Sequence, residues 1–414
     1  MKFRPLAMLI LSGLLAVSLK AFPQTTGNSQ SAATAPEGTP GHGLTIPFEL
    51  YDNFIFLPVR INGAEPRSFM LDTGASTSFL SEGSADSLGL TPKHEHEKNI
   101  GTGEASTRLG FAKGVALSLP GVDLPAQTVA VVPFNELEFA IGHSIDGLLG
   151  ADLFKRYVVT IDYAARTISL DGPKNFSYHG KGDMIPFRLS GNRPFFKAAV
   201  TPLGMPQIET EFVIDTGHSG TLTFHTPFVE KHHLLAAKEK PVLRITRGIS
   251  GESRSWRGRI SRLQLGRSAI DLPVATFSEA AKGSEADRSY DGALGGEILR
   301  RFTVTLDYSR RQMILEPNAA FADPYEEDMS GIQLWAQGKD FKTISVQSVR
   351  DGSPAFEAGI KENDIIETVG NKIAGDLRLE ELDRMFKQDG TQYSLGIRRG
   401  GNLVTLTIKL RRAI

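Results

Sequence analysis

A large part of this chain occurs twice, and that duplication restricts its fold more than any other feature. Ile46-Pro47-Phe48-Glu49-Leu50 returns as Ile185-Pro186-Phe187-Arg188-Leu189, and Phe69-Met70-Leu71-Asp72-Thr73-Gly74 returns as Phe212-Val213-Ile214-Asp215-Thr216-Gly217. Asp146-Gly147-Leu148-Leu149-Gly150 returns as Asp291-Gly292-Ala293-Leu294-Gly295, and Tyr157–Tyr163 as Phe302–Tyr308. The shift is 139 residues from Ile46 to Ile185, 143 from Asp72 to Asp215, and 145 for the last two pairs. A nearly constant shift with a small drift marks a duplication with altered loops. The period is too long for a solenoid, so each copy is expected to form a lobe of its own.

Within each copy, short β-favouring runs recur between Gly, Pro and Asn turns. Phe54–Ile61, then Asn62-Gly63, then Ser68–Leu71 reads as a hairpin, because Asn-Gly between apolar runs supplies the turn that twisted strands need. Helical periodicity is scarce there. The first lobe is read as 44–172 and the second as 185–317. A polar, acidic connector follows, and then a different pattern over 329–414: strand-like Gly331–Leu334 and Lys342–Val349, a helix spaced on residues 379, 382, 385 and 386, and an alternating strand Leu403–Ile408. This tail is expected to be a separate small α+β domain.

The N-terminus carries Lys2 and Arg4 ahead of a short apolar run from Leu6 to Leu19. That is the secretory pattern, with cleavage expected after Ala21 and an uncleaved N-terminal membrane tether as the alternative. Residues 22–43 read as a disordered leader rich in small and polar residues. The expected compartment is therefore outside the cytoplasm, periplasmic or secreted.

Composition removes several chemistries. With 0 Cys, disulfides, thiolate nucleophiles and Cys-ligated metals are excluded. Lys+Arg of 46 against Asp+Glu of 47 gives a net charge of −1, which argues against a nucleic-acid partner held by phosphate neutralisation. His94-Glu95-His96-Glu97 and His232-His233 lack completing ligands and are read as solvated loops, so no metal site is expected. Arg244, Arg247, Arg254, Arg257, Arg259 and Arg262 are read as an exposed strand face.

What remains is the repeated Asp-Thr-Gly. Each Asp follows three apolar residues, so a buried strand delivers its carboxylate from a rigid support. Gly permits a tight turn and a close backbone approach, and Thr offers a hydroxyl to lock the turn. Lobes related by a pseudo-twofold axis would bring Asp72 and Asp215 face to face. Two carboxylates at hydrogen-bonding distance share one proton. The ionised one can take a proton from water while the other protonates an amide, which cleaves a peptide bond. The competing reading is a pair of ordinary β-turns in a duplicated barrel. A single Asp-Thr-Gly arises by chance in a chain this long roughly one time in ten. Two copies in matching contexts do not.

These motifs resemble the aspartic proteases, most closely the retropepsin-like group, with two lobes fused in one chain over residues 44–317. The resemblance implies a mainly β fold, a bilobal pepsin/retropepsin-like double β-barrel, with Asp72 and Asp215 catalytic and Thr73, Gly74, Thr216 and Gly217 supporting their loops. It implies a flap at Gly101, Thr102 and Gly103, with Gly248–Glu252 as its counterpart, and it implies no cofactor. Where pepsin-like enzymes carry Ser or Thr after the Gly, this chain has Ala75 and His218. Lost hydroxyl donors should raise the titration of the pair, and a charged His218 would oppose that rise.

The tail resembles a PDZ domain in Gly352-Ser353-Pro354-Ala355, Ala358-Gly359-Ile360 and Asp364-Ile365-Ile366. By that likeness Gly331, Ile332 and Leu334 belong to a carboxylate loop and peptide-binding strand, although the family's second Gly is missing. Protein or peptide substrates in the lobe cleft, and an extended peptide at the PDZ groove, are the partners this implies. The rival is a non-catalytic scaffold that binds peptides in the same two places.

Overall fold

The computed structural model describes residues 43–94, 97–236 and 241–414. The expected export segment, the leader up to residue 42, and Glu95 and His96 lie outside them. Among the described residues no helix is long and apolar enough to cross a membrane.

The first hairpin forms as its sequence dictates. Phe54–Ile61 and Arg67–Leu71 run antiparallel with Phe56 opposite Met70, and Asn62 and Gly63 between them both take positive φ, 51° and 78°. Phe54–Ile61 is also paired, through Arg60 and Ile61, with Gly110–Leu119, which closes six strands of an eight-stranded sheet into a barrel. The second copy repeats this arrangement. Arg193–Pro202 pairs with Ile208–Ile214 on one side and Gly251–Leu265 on the other. Each barrel threads its later Asp-Gly segment parallel to the strand that precedes Asp-Thr-Gly: Phe69–Leu71 against Gly147–Leu149, and Phe212–Ile214 against Gly292–Leu294.

A six-stranded seam joins the two halves, in the order Leu44–Pro47, Thr167–Asp171, Val158–Asp162, Phe302–Asp307, Gln312–Pro317, Asp183–Ser190. At its centre Thr160 lies opposite Thr305, with hydroxyl oxygens 2.9 Å apart. These two residues are equivalents in the repeat, so the pseudo-twofold axis passes between them.

Burial holds the two Asp-Thr-Gly loops still. Phe69, Leu71, Phe212 and Ile214 are 0% exposed, Met70 2% and Val213 3%. Each such side chain contributes about 1.5–3 kcal/mol by leaving water. The two strands that carry Asp72 and Asp215 are therefore anchored over their last three residues.

The C-terminal module is a separate sheet in the order Ile332–Gln337, Thr343–Val349, Ile365–Val369, Gln392–Arg399, Asn402–Lys409, over its own core of Ile344, Val346, Ile366, Leu382, Leu395 and Ile397. Ser353 caps a short helix, accepting from the Phe356 N–H at 3.2 Å. The spacing on 379, 382, 385 and 386 becomes the helix Leu379–Met385, with Leu382 0% and Phe386 1% exposed. The connector before the module is tied down. The fully buried Arg301 donates to the carbonyls of Ala320, Asp323 and Pro324. Of the arginine-rich strands, read as an exposed face, Arg254 and Arg262 are exposed while Arg244, Arg247 and Arg257 are largely covered, and these arginines are engaged. Arg244 and Arg257 both reach Glu327, Arg254 pairs with Glu279, Arg262 with Asp271, and Arg259 donates to the Leu272 and Tyr325 carbonyls.

Candidate active site

Asp72 and Asp215 leave the ends of their strands and meet. The Asp72 N–H donates to the Leu149 carbonyl and the Asp215 N–H to the Leu294 carbonyl, both at 3.0 Å, so the parallel segments fix both loops in the same way. The two carboxylates come within hydrogen-bonding reach of each other. Gly74 and Gly217 make that approach feasible. A Cβ on Gly74 would lie 2.8 Å from an Asp215 oxygen, and one on Gly217 would lie 2.5 Å from the Asp72 carboxyl carbon.

The two threonines do more than brace their own turns. Thr73 Oγ1 donates to the Ile214 carbonyl at 2.6 Å and accepts from the Thr216 N–H at 3.0 Å. Thr216 Oγ1 donates to the Leu71 carbonyl at 2.7 Å and accepts from the Thr73 N–H at 3.1 Å. Both side chains are buried, so each hydroxyl crosses to the other lobe and the four bonds form a closed lock.

A second crossing pair escaped the sequence reading. Asn53, in the turn before the first barrel strand, donates from Nδ2 to the Ser219 carbonyl at 2.9 Å. Asn192, in the equivalent turn of the second lobe, donates from Nδ2 to the Ser76 carbonyl at 3.0 Å. Each lobe therefore holds the far side of the other lobe's Asp-Thr-Gly loop. The signal was available: Asn53 and Asn192 stand 139 residues apart, the same shift as Ile46 and Ile185.

The loops are not electrostatically equal. Asp72 Oδ1 accepts from the Gly74 N–H at 2.8 Å and from the Ala75 N–H at 3.1 Å. Asp215 Oδ1 accepts from the Gly217 N–H at 2.9 Å; the Ala75 and His218 N–H groups each reach their own Asp carbonyl at 3.4 Å, and that of Ala75 is shared with the Asp72 carboxylate. Both side chains keep some solvent contact within a dense surround, which pushes both carboxyls above the usual range. At Asp215 the neighbouring Asp72 charge adds to the effect of burial. Arg193 opposes the rise at both. Its guanidinium sits over the rings of Phe195 and Tyr290, 5.2 and 5.4 Å from their centroids. The sequence reading passed over it.

His218 does not act as a cation here. Burial drives its pKa down to about 4, helped by the charge of Arg257, and its Nε2 lies 3.1 Å from Thr223 Oγ1. The ring is neutral near pH 7 and does not counter the raised dyad.

Gly101, Thr102 and Gly103 lie at the irregular tip of a loosely paired hairpin. Its arms pair at Lys93–His94 with Gly110–Phe111 and at Lys98 with Thr107, whereas the counterpart in the second lobe is a regular hairpin, Val242–Gly248 with Gly251–Leu265. At the tip the strand pairing is replaced by bonds from Asn99 Nδ2 to the Gly103 and Ala105 carbonyls, at 2.9 and 2.8 Å. The loop then meets the other lobe's turn. The Ser250 N–H donates to the Thr102 carbonyl at 3.0 Å, and the Ala105 N–H to the Ser250 carbonyl at 2.8 Å. The Ser284 N–H donates to the Gly101 carbonyl at 2.9 Å. Ser250 Oγ accepts from the Ile100 N–H at 2.9 Å and donates to the Ile100 carbonyl at 2.6 Å. Ser250, 1% exposed, is the hub of this junction.

The remaining candidates stand apart from the dyad. Ile332 and Leu334 lie in the first strand of the C-terminal module, and the Gly331 N–H just before it donates to Asp328. Among the described residues no group of three or more His, Asp or Glu is placed to hold a metal ion.

Comparison with known proteins agrees with this architecture. Residues 57–153 match the aspartyl protease family, and residues 327–410 match the PDZ domain. The UBA domain-containing protein Mud1 of Schizosaccharomyces pombe is 28% identical over 142 residues, 34% of this chain. The matched stretch spans 39% of that relative's length.

Proposed function

We propose that this chain is an exported aspartic endopeptidase in which Asp72 and Asp215 activate one water between them. The observation that carries the reading is the meeting of two buried, mutually locked Asp-Thr-Gly loops around a pair of carboxylates that cannot both ionise cheaply. The aspartyl protease match over 57–153 supports the chemistry, and the apolar run after Lys2 and Arg4 supports export.

The unequal donors assign the roles. Two N–H bonds favour the charged form of Asp72, so Asp72 is the base and Asp215 keeps the shared proton. Asp72 takes a proton from water as the water oxygen attacks the peptide carbonyl carbon. Asp215 gives its proton to the carbonyl oxygen. Collapse of the tetrahedral intermediate breaks the C–N bond, with a proton delivered to the leaving nitrogen from the dyad. The loops at Thr102 and Ser250 must part to admit a chain, which makes them the flaps of this reading.

Cleavage of an unfolded protein, with and without pepstatin, tests it. Asp72→Asn and Asp215→Asn should each lower turnover by on the order of 10³-fold or more while the fold remains intact. Equal turnover by the wild type and both variants would reject the mechanism. A wild type that binds peptides without cutting them would favour the scaffold.

A further inference from the structure

The C-terminal module presents Ile332–Gln337 at the edge of its sheet, beside the helix Leu379–Met385. PDZ domains bind an extended peptide by adding it to such an edge, and a free C-terminus is held by consecutive backbone N–H groups that form an anion-binding nest. In this chain the N–H groups ahead of the edge strand are those of Ser330, Gly331 and Ile332, and all three are taken. The Ser330 N–H donates to Asp328 Oδ1 at 3.1 Å and the Gly331 N–H to Asp328 Oδ2 at 2.8 Å. The Ile332 N–H donates to Ser330 Oγ at 3.0 Å, and that hydroxyl donates in turn to Asp328 Oδ1. Asp328 is 5% exposed. An internal carboxylate, with both oxygens engaged, stands where an incoming one would bind. A second carboxylate would find these N–H groups taken, and the nearby Arg244 and Arg350 already facing the charge of Asp328.

The other end of the groove is also filled from within the chain. The helix Asn135–Ile141 of the first lobe ends at Gly142, which has φ of 71°. A Cβ there would lie 3.0 Å from the Cβ of Leu379 and 3.2 Å from that of Ala336, so Gly142 sits between the module's helix and its edge strand. On the outer face of that strand, Phe139 of the same helix packs 6.3 Å from Trp335, and the Arg247 guanidinium lies 4.5 Å over the Trp335 ring. Gln333 Nε2 donates to the Ile245 carbonyl at 3.3 Å. Arg247 and Ile245 belong to Val242–Gly248, a strand of the second lobe's flap hairpin.

We propose that this PDZ module is an internal clasp. It has no site for a free C-terminal carboxylate, and its partner is the protease part of the same chain, the helix Asn135–Ile141 and the strand Val242–Gly248. Asp328 supplies the anion that a ligand would bring, and Gly142 seals the groove where a ligand's chain would leave.

The full-length protein carrying Asp72→Asn, which leaves the probes uncut, tests the first half. Labelled ten-residue peptides with apolar C-terminal residues are titrated as free acids and as the matching C-terminal amides, with binding read by fluorescence polarisation. Absent binding, or affinities within about threefold for acid and amide, is the expected result; an acid preference of tenfold or more would overturn the filled nest. For the second half, Trp256→Phe leaves Trp335 as the sole indole in a chain with 2 Trp. In that background Phe139→Ala with Arg247→Ala should shift Trp335 emission to longer wavelength. It should also raise deuterium uptake severalfold over 242–248 and 332–337. Unchanged emission together with unchanged uptake would overturn the clasp. Neither experiment reads proteolysis, so both stand or fall apart from the hydrolytic reading.

Discussion

Asp72 and Asp215 share one environment but not one set of donors, and Arg193 touches both with its field. In the proposed mechanism the acid limb of the pH–rate profile falls where Asp72 loses its charge, and the alkaline limb where Asp215 loses its proton. Burial raises both, so activity is expected to extend toward neutral pH; a profile confined below about pH 4 would contradict this. Arg193→Met removes a cation that favours both ionised forms. Both limbs should then move to higher pH, by about half a unit to one unit, in kcat/KM measured across pH. Limbs that stay in place would remove Arg193 from the electrostatics of the pair. His218 illustrates what a sequence withholds at this scale. Its position after Gly217 was visible, but the burial that keeps the ring neutral depends on what the fold packs around it.

Among elements, the junction of the segments at Thr102 and Ser250 adds one buried hydroxyl to its backbone bonds. Ser250→Ala would leave the Ile100 N–H and carbonyl without their partner in a buried place, a loss of about 1–3 kcal/mol. Hydrogen exchange over 98–107 and 248–252 should therefore quicken by one to two orders of magnitude, on the order of that energy, while exchange in the seam stays the same. Equal protection in the variant would show that Ser250 does not hold the loops together. The strands, the Asn62-Gly63 turn and the Asp-Thr-Gly loops were legible because each is written in consecutive residues with a local physical meaning. The contacts that cross between lobes were not, because Thr73 with Ile214 and Asn53 with Ser219 depend on where distant backbone ends up, and the bond from Asn99 to Gly103 within one lobe depends on an irregular loop. The repeat shift would have paired Asn53 with Asn192, yet nothing local said what either would touch.

For the whole molecule, the turn at Asp52 and Asn53 joins all three parts. Asn53 reaches the second Asp-Thr-Gly loop, and the Asp52 N–H donates to Glu380 Oε2 of the C-terminal module at 2.9 Å. Burial pushes the Asp52 carboxyl up to about 7, with Asp383 and Glu380 adding to the rise and Lys387 opposing it. A carboxyl with a raised pKa in the docked state favours docking while it is protonated. That contribution is present in full below the ordinary carboxylate range, declines as pH rises from about 4 to about 7, and levels off above. Docking should therefore loosen over that window, read by Trp335 emission in the Trp256→Phe background, and Asp52→Asn should flatten the dependence. A slope that survives the substitution would place its origin elsewhere. The sequence marked the tail as a distinct domain but could not show it lying against the lobes, since Gly142, Phe139 and Arg247 carry no local sign of the surface they meet.

The seam at Thr160 and Thr305 makes the halves equivalent, and a covalent link between them frees each half to drift. Phe54 stands where the other half has Arg193, and Ala75 where it has His218. A perfectly balanced cleft would accept a polypeptide threaded in either polarity with equal ease. With a guanidinium beside the carboxylates on one side and no matching charge on the other, the two directions of threading cease to be the same event, and a bound chain acquires a head and a tail.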